Sequence, residues 1–380
     1  MKQYGDIRFL NGETLEPVDI IVGGSPCQNF SIAGNRQGLE GSESSLFYEM
    51  IRIVKQMRRS TNGDYPRFIL FENVPGIFNS NDGRDFQAVL TRFIRIIEPD
   101  APDVPIPQEG WPKVGIIFLP IGSVAWRTHN AQFWGVAQRR RRVSVIVDLT
   151  GRSASAPEIL FERKDMPGNT QTSGTQREGS TRAITDSIGT PEPKVYDSQI
   201  YHDFREMSDV CQSINAQYGT GGNNMPFVVN ERRGEPHYMT LQAFGVYTEG
   251  ETASALKRRD YKDATDLVVR EEKKTMTVRR LTPLECERLQ GFPDEWTNIP
   301  GASDSKRYKA LGNSIALPFW EFLAKRFVEI GEVKSIGSLF DGIGGFPLVF
   351  KRAGAETKWT SEIESFCERV VKHHMDKGDL

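Results

Sequence analysis

Val18-Asp19-Ile20-Ile21-Val22-Gly23-Gly24-Ser25-Pro26-Cys27-Gln28 is the stretch that decides the fold of this chain. Its apolar first half predicts a buried strand, and the Gly-Gly-Ser-Pro that follows predicts a turn. Open α/β sheets bind ligands outside the carboxyl ends of their strands, which is where Cys27 falls. A lone cysteine is commonly a buried core thiol, but these loop-forming neighbours favour a thiol that is presented to a ligand.

A second apolar run, at 68–71, ends in Glu72 and Asn73. A glutamate that closes a buried strand is costly unless it is paired or used in chemistry. If the two strands are parallel neighbours, the Cys27 thiol and the Glu72 carboxyl converge on one substrate. Pairing of Glu72 with an arginine is the structural alternative, and both roles are compatible.

The periodicity predicts an α/β fold with a doubly wound, Rossmann-like parallel sheet. Residues 1–150 alternate strands with helices, and residues 310–380 supply the rest of the sheet. The predicted strands lie near 5–9 and at 20–22, 68–71, 114–119, 143–147, 335–340 and 357–361, and the predicted helices at 46–57, 86–97, 311–329, 344–352 and 365–374.

Residues 151–309 are predicted to form a second, smaller domain that is mostly irregular or β, with its core at 152–276. This core is rich in Gly, Thr, Ser, Asn and Gln, and a disordered linker is the alternative. The recurring apolar pairs Val228-Val229 and Val268-Val269 favour short strands.

The composition narrows the class of protein. No apolar run is long enough to span a bilayer, and residues 1–6 lack the apolar core of a signal peptide. The four cysteines are too far apart for a zinc ribbon or a disulfide framework, so we expect no metal and a reducing cytoplasm, in a prokaryotic or phage-infected cell.

The net charge of −2 does not by itself indicate nucleic acid. Most of the arginine pairs are explained equally well as solvent-exposed surface and as nucleic-acid contacts. The cluster Arg139-Arg140-Arg141-Arg142 differs, because apolar residues on both sides place it at the mouth of a strand.

Six blocks of the chain resemble those of the DNA (cytosine-5) methyltransferases. They are Pro26-Cys27-Gln28, Glu72-Asn73-Val74, Gln138-Arg139-Arg140-Arg141-Arg142-Val143, the stretch 280–293 with Gln290-Gly291-Phe292-Pro293, Gly312-Asn313-Ser314, and Phe340-Asp341-Gly342-Ile343-Gly344-Gly345. The glycine loop normally opens these enzymes, whereas here it follows every other block. The resemblance therefore implies a circular permutation, in which residues 329–334 bridge the usual ends.

The resemblance implies a role for each matched residue. Cys27 is the nucleophile, Glu72 contacts ring N3, and Arg140 and Arg142 clamp the base. The implied S-adenosyl-L-methionine site consists of Phe340, Gly342, Gly344, Gly345, Glu362, Ile363, Asp6, Ile7, Pro26, Leu46 and Asn313. The implied DNA contacts are Gln28, Ser31, Gln138 and Arg142, with the loop at 28–41 closing over a flipped base and 152–276 as target-recognition domain.

The function implied is methyl transfer from S-adenosyl-L-methionine to C5 of cytosine in a specific sequence of double-stranded DNA. We expect no membrane partner, a monomer in action, and a cognate restriction endonuclease as a candidate partner. Three alternatives stay open. An RNA methyltransferase fits the long 152–276 segment poorly, an inactive DNA-binding relative fits the intact Cys27 and Glu72 poorly, and a dinucleotide oxidoreductase leaves Pro-Cys-Gln unexplained.

Overall fold

A computed structural model of the chain describes residues 1–25, 45–152, 154–161 and 281–380, together with the backbone of the strands between 194 and 280. The strands of the described part are, in chain order, β1 Lys2–Tyr4, β2 Ile20–Gly23, β3 Phe68–Asn73, β4 Val114–Leu119, β5 Gly122–Asn130, β6 Gln138–Arg139, β7 Arg141–Asp148, β8 Lys194–Ser198, β9 Phe204–Met207, β10 Cys211–Gln212, β11 Phe227–Asn230, β12 Pro236–Ala243, β13 Val246–Gly250, β14 Asp266–Arg270, β15 Thr277–Arg280, β16 Ser335–Leu339 and β17 Glu356–Ser361.

The helices of the described part are α1 Ser45–Ser60, α2 Arg84–Ile97, α3 Ser155–Leu160, α4 Pro283–Gln290, α5 Asp304–Asn313, α6 Leu317–Glu329, α7 Gly345–Ala353 and α8 Ser365–Lys377.

Eight strands form the central sheet, in the order β1-β17-β16-β2-β3-β7-β5-β4. The first five are mutually parallel, which confirms the α/β prediction for that half. The prediction of a parallel sheet is wrong for the other half. There β7 runs antiparallel to β3, β5 antiparallel to β7, and β4 antiparallel to β5. The links between β4, β5 and β7 hold no α-helix, and a parallel crossover normally needs one. The sheet is therefore mixed, not parallel throughout.

Alternate residues of the central strands point into two separate cores, one on each face of the sheet. Ile20 belongs to the first core and Ile21 to the second, as the period of two along a strand requires. The first core contains side chains from α3 to α8, and the second contains side chains from α1 and α2. Helices on both faces make the sheet doubly wound, as predicted.

Three other element predictions are wrong in detail. The first strand is β1 at Lys2–Tyr4, because Asp6 instead caps a short 3-10 turn at Ile7–Phe9. The predicted helix 311–329 is two helices, α5 and α6, and Pro318 sits in the first turn of α6, where proline starts helices. The strand β5 is absent from the sequence prediction.

The strands between residues 194 and 280 form small antiparallel sheets. One has the order β15-β11-β8-β9 and another the order β13-β12-β14, while β10 pairs with β6. The predicted short strands around Val228-Val229 and Val268-Val269 are confirmed as β11 and β14. Both ends of the 151–309 segment nevertheless pack on the central sheet, because Ile159 and Leu289 lie in the first core. The proposed domain limits stay a prediction.

Among the described residues, no helix is both long enough and apolar enough to cross a bilayer.

Candidate active site

The carboxyl ends of β2 and β3 meet at one point, where Glu72 lies against Gly24. A Cβ on Gly24 would lie 2.4 Å from Glu72 Oε2, so a larger residue here would force the carboxylate to move. The Nε of Arg142 lies 2.8 Å from Glu72 Oε1, and both side chains are about 15% exposed. Glu72 is thus ion-paired beside Gly24, and its side chain is mostly buried.

Arg142 comes from β7, which pairs with β3 and β5 on its two sides. Its register partner on β5 is His129, a buried imidazole that stacks on the Phe319 ring with centroids 3.4 Å apart. Burial first, and then the charges of Arg142 and Arg127, hold the pKa of His129 well below its usual range. A neutral His129 therefore adds no positive charge behind the Glu72–Arg142 pair. Nothing in the local sequence distinguishes this histidine, because its position depends on the unpredicted strand β5.

Phe340 joins this point to the glycine loop. It follows β16 with a left-handed φ of 55°, which is uncommon for an aromatic residue. A Cβ built on Gly23 would lie 3.5 Å from the Phe340 ring, so the ring lies over the end of β2. The glycine loop and the end of β2 are therefore immediate neighbours.

The glycine loop is held by Glu362, which follows β17. Its carboxylate accepts hydrogen bonds from the backbone N–H groups of Gly342, Ile363 and Glu364 at 2.7 to 2.9 Å. Gly342 and Gly344 have φ values of 57° and 82°, which favour glycine, and Gly344 caps α7. A bare, glycine-lined turn beside a helix N-terminus and an acidic residue fits a nucleoside cofactor.

Asp341 is a buried carboxyl inside this loop. Its Oδ1 accepts a 2.6 Å hydrogen bond from the Ser338 hydroxyl, and its backbone N–H donates to the Ser361 carbonyl at 3.1 Å. Burial raises the pKa of Asp341 to about 8, with a further contribution from the charge of Glu362. Sequence reasoning passed over this residue, because only its burial makes it unusual.

The N-terminal residues complete the cofactor side of the sheet. The Glu362 N–H donates to the Tyr4 carbonyl at 3.1 Å, and the Ser361 hydroxyl donates to the Gly5 carbonyl at 2.6 Å. Asp6 follows directly and pairs with Arg8, an ion pair that lowers the pKa of Asp6. Ile7, predicted to contact adenine, is buried in the second core.

Arg140 and Gln138 tie the arginine block to two other blocks. Arg140 is only 2% exposed and donates to the carbonyls of Gly312, at 3.0 Å, and Ser314. The Gln138 amide is fully buried and donates to the Leu289 carbonyl at 3.2 Å. The base clamp predicted for Arg140 and the DNA contact predicted for Gln138 stay predictions, while their observed role is to position neighbouring segments.

The other predicted site residues differ in burial, and some of them lie outside the described residues. Leu46 packs against the second core, and Asn313 and Ile363 are exposed. Gly345 lies against Ile315, so the loop touches the segment that follows Asn313. Pro26, Cys27, Gln28 and Ser31, with the predicted loop at 28–41, lie outside the described residues. In the described part of the chain, no cluster of His, Cys, Asp and Glu could hold a metal ion.

The doubly wound sheet and its two adjoining strand ends are those of a Rossmann-like α/β fold. The family model of the C-5 cytosine-specific DNA methylases matches residues 1–96 and 123–329. The chain belongs to this family, whose members depend on S-adenosyl-L-methionine. It is thereby placed among the DNA cytosine methyltransferases, as the sequence predicts.

Three curated relatives cover most of the chain. The DNA N-6-adenine-methyltransferase of Escherichia phage P1 is 28% identical over 85% of this chain, and the chain spans only 54% of that relative. The type II methyltransferase M1.ScrFI of Lactococcus lactis subsp. cremoris is 27% identical, covering 87% of this chain and 67% of the relative. M.HpaII of Haemophilus parainfluenzae, also type II, is 26% identical, covering 89% and 78%.

Proposed function

We propose that this chain methylates C5 of cytosine within a specific sequence of double-stranded DNA, through covalent attack by Cys27. The observation that carries the proposal is the position of Glu72. Its carboxylate lies against Gly24, three residues before Cys27, and is bound to Arg142 at 2.8 Å. A carboxylate and a guanidinium therefore stand together beside Gly24, just before the Pro-Cys-Gln stretch in the sequence.

The chemistry needs these groups because C5 of cytosine is a poor nucleophile. The Cys27 thiolate adds to C6, forming a carbon–sulfur bond and an enamine whose C5 can attack an electrophilic methyl group. Glu72 supplies a proton or a strong hydrogen bond at N3 as electron density moves there. After transfer, loss of the C5 proton to a base reforms the double bond and expels the thiolate. S-adenosyl-L-methionine, when bound, supplies the methyl group.

Arg142 assists both Cys27 and Glu72 in this step. Its positive charge favours the thiolate form of a neighbouring cysteine. It also holds Glu72 in one orientation. A base inside a duplex cannot reach this strand end, so the target nucleotide must be flipped out of the stack.

Trapping on a mechanism-based substrate tests the nucleophile. Wild-type protein should form a covalent adduct with duplex DNA that contains 5-fluorocytosine, because the fluorine cannot leave as a proton does. Cys27→Ser should form none and should lose methyl transfer, while still binding S-adenosylhomocysteine. Cys286→Ala, which alters a buried thiol of α4, is the matched control and should still trap DNA. Robust turnover by Cys27→Ser would overturn the assignment.

The name of the phage P1 relative raises adenine N6 as a second candidate target. An exocyclic amine can attack a methyl donor directly, with no thiol addition to the ring. The Pro-Cys-Gln motif in the sequence, together with the position of Glu72 beside Gly24, therefore favours cytosine. Mass spectrometry of nucleosides from methylated DNA decides between them, since 5-methylcytosine supports the proposal and N6-methyladenine alone contradicts it.

We assign base readout to the target-recognition segment 152–276, because phosphate contacts position a protein on DNA while base contacts specify the sequence. Exchange of this segment for that of a relative with a known target should transfer the sequence preference. A folded, active chimera that keeps the original target would refute the assignment. The type II relatives make a cognate endonuclease part of the same proposal.

We also propose that the order of the blocks is a circular permutation. Two observations support it. The family model matches through residue 329 and does not extend over the glycine loop at 340–345. The strand β1 pairs in parallel with β17, so residues 2–4 extend the sheet beside the strand that precedes α8.

A further inference from the structure

The indole of Trp296 holds the middle of the glycine loop from outside. Its Nε1 donates a 2.8 Å hydrogen bond to the Ile343 carbonyl, and both groups are buried. Ile343 stands between Gly342 and Gly344, two glycines in the left-handed region of φ. Glycine populates left- and right-handed conformations about equally well, so the glycines by themselves do little to fix this peptide. The Trp296 N–H therefore supplies a restraint on the direction of the Ile343 carbonyl.

The backbone around Trp296 is fixed by a buried carboxylate. Glu287 of α4, which is fully buried, accepts the backbone N–H groups of Glu295 and Thr297 at 2.8 Å each. These are the two residues that flank the tryptophan. The Arg307 guanidinium of α5 lies 3.1 Å from the same carboxylate and balances its charge. Glu295 has a left-handed φ of 62°, and such strain persists only where the surroundings over-determine it. The position of the tryptophan is therefore imposed by its neighbours.

The ring of His374, on α8, fixes the plane of the indole. The two rings are stacked, with centroids 3.6 Å apart and planes 4° apart. The His374 Nε2 lies 2.8 Å from the Trp296 carbonyl oxygen, and its Nδ1 lies 2.8 Å from the Asp379 carboxylate. Both partners accept hydrogen bonds, so the imidazole donates from both nitrogens, as its protonated form does. A ring bound at two points leaves the indole one orientation, in which Nε1 faces Ile343.

We propose that Trp296 is a positioning residue for S-adenosyl-L-methionine, which fixes the Ile343 peptide and so gives the glycine loop its binding shape before the cofactor arrives. His374 acts through Trp296, by holding its ring. This role deepens the proposed function and rests on it, with the glycine loop as the cofactor site. Binding to a loop that is already ordered avoids the free-energy cost of ordering it, so the tryptophan contributes to affinity without contacting the cofactor.

Trp296 also lies in the first core, where burial of an indole stabilises the fold by itself. A purely structural role and the positioning role differ in what they predict. If only burial matters, loss of the N–H lowers stability and leaves the cofactor affinity unchanged. If the N–H sets the loop, the affinity falls. The rate at saturating cofactor then stays the same, because Glu72, the group proposed to serve ring N3, is held by different partners.

Replacement of the indole by a phenyl ring separates these cases. Trp296→Phe keeps an aromatic ring beside His374 and removes the N–H. By calorimetry without DNA, we expect S-adenosylhomocysteine to bind roughly 3–10-fold more weakly, as loss of one hydrogen bond predicts. The KM for S-adenosyl-L-methionine should rise in parallel at unchanged kcat. Trp111→Phe is the matched control, because the Trp111 Nε1 donates to the buried Gly83 carbonyl, also at 2.8 Å. It should lose similar stability in urea and bind S-adenosylhomocysteine normally.

A second variant leaves the indole in place. His374→Phe keeps the stacked ring, removes both hydrogen bonds and should also weaken binding, so the proposal is testable even where Trp296→Phe folds poorly. In the Trp296→Phe background, His374→Phe should add no further loss, because its effect passes through the indole N–H. Normal binding by His374→Phe, or additive losses in the double variant, would overturn the role of His374.

Glu362→Ala, which removes a hydrogen bond from the Gly342 N–H, reports on the glycine loop itself. Unchanged affinity in Trp296→Phe overturns its positioning role. If Glu362→Ala still weakens binding, only that role fails. If neither variant weakens binding, the cofactor lies away from the glycine loop, and that part of the proposed function fails with it.

Discussion

Glu72 and Glu362 stand at the ends of two strands of the same sheet, but different groups hold their carboxylates. Glu72 is bound by the guanidinium of Arg142, a side chain on an antiparallel strand. Glu362 is bound by three backbone N–H groups, including that of Gly342. A side-chain partner can change its contacts when a substrate arrives, whereas backbone donors fix the loop that carries them. The first arrangement suits proton chemistry and the second suits a binding cradle.

The largest effect should come from Glu72, the carboxylate that a side chain holds, and it should appear in the rate of methyl transfer. Glu72→Gln removes the group that we propose serves ring N3, and general acid catalysis contributes about 10²–10⁴-fold. We expect methyl transfer to fall by that factor, while the affinity for S-adenosylhomocysteine stays the same. Glu49→Gln breaks another ion pair, with Arg52 on α1, and should keep full activity. A Glu72→Gln enzyme with more than a tenth of the wild-type rate would contradict the role.

The next effect concerns the stability that depends on Asp341. This buried carboxyl lies in the glycine loop that Glu362 holds. Its pKa is raised from 3.8 to about 8, so the folded chain keeps a proton that the unfolded chain releases. Stability must therefore fall as the pH rises between these two values. From pH 5 to pH 8, the unfolding free energy of wild type should drop by roughly 2–4 kcal/mol relative to Asp341→Asn.

Urea unfolding at pH 5 and pH 8 measures this difference. Asp294→Asn is the control, because a hydrogen bond from Arg288 lowers the pKa of Asp294. The contribution of the Asp294 carboxylate to stability is then fully present at pH 5 and at pH 8. The difference in unfolding free energy between Asp294→Asn and wild type should therefore be the same at both pH values. A constant difference for Asp341→Asn as well would mean that the Asp341 carboxyl is ionised in the folded protein.

A smaller effect should follow from Glu362→Ala. The substitution removes the hydrogen bond from the Gly342 N–H and the acceptor that we propose for ribose, and hydrogen bonds to charged groups are worth about 1.5–3 kcal/mol each. We expect calorimetry with S-adenosylhomocysteine to show affinity about ten-fold weaker or more. Glu364→Ala, at an exposed carboxylate that pairs with Lys309, should bind normally. Unchanged affinity in Glu362→Ala would place the ribose elsewhere.

The smallest effect should come from changing the order of the chain. Joining residue 380 to residue 1 through a flexible linker, and reopening the chain at Gly331, preserves both carboxylates and their partners. Loop closure costs little more as loops lengthen, so the variant should fold and methylate the same DNA target. Bisulfite sequencing of treated DNA is the measurement, and loss of activity in a folded variant would argue against the permutation.

The sequence predicts the parallel half of the sheet well because apolar runs and glycine turns mark each unit. It predicts the antiparallel half poorly, since the strand β5 mixes Arg127, Thr128 and His129 with apolar residues and has no clear period. The closeness of Glu72 to Gly24 follows from the adjacent ends of β2 and β3. The buried tie from Arg140 to Gly312 does not, because it joins residues far apart in sequence.

The same limit applies to Asp341. Its neighbours in the glycine loop are visible as a pattern, while its raised pKa depends on burial by the folded chain. Asp19 is a similar case, a buried carboxylate that accepts from the N–H groups of Lys334 and Ser335 at the start of β16. Both roles need the neighbouring strand in place before they can be recognised.

The position of β16 has a consequence for how the chain folds. This strand lies between β17 and β2, and it pairs Ile336 with Ile20 across more than three hundred residues of sequence. During synthesis, the middle of the sheet stays incomplete until residues 335–361 have left the ribosome. Until then β2 has an exposed apolar edge, which is a hazard for aggregation. Long-range pairing of this kind slows folding, so we expect nascent chains to depend on chaperones until residues 335–361 have been made.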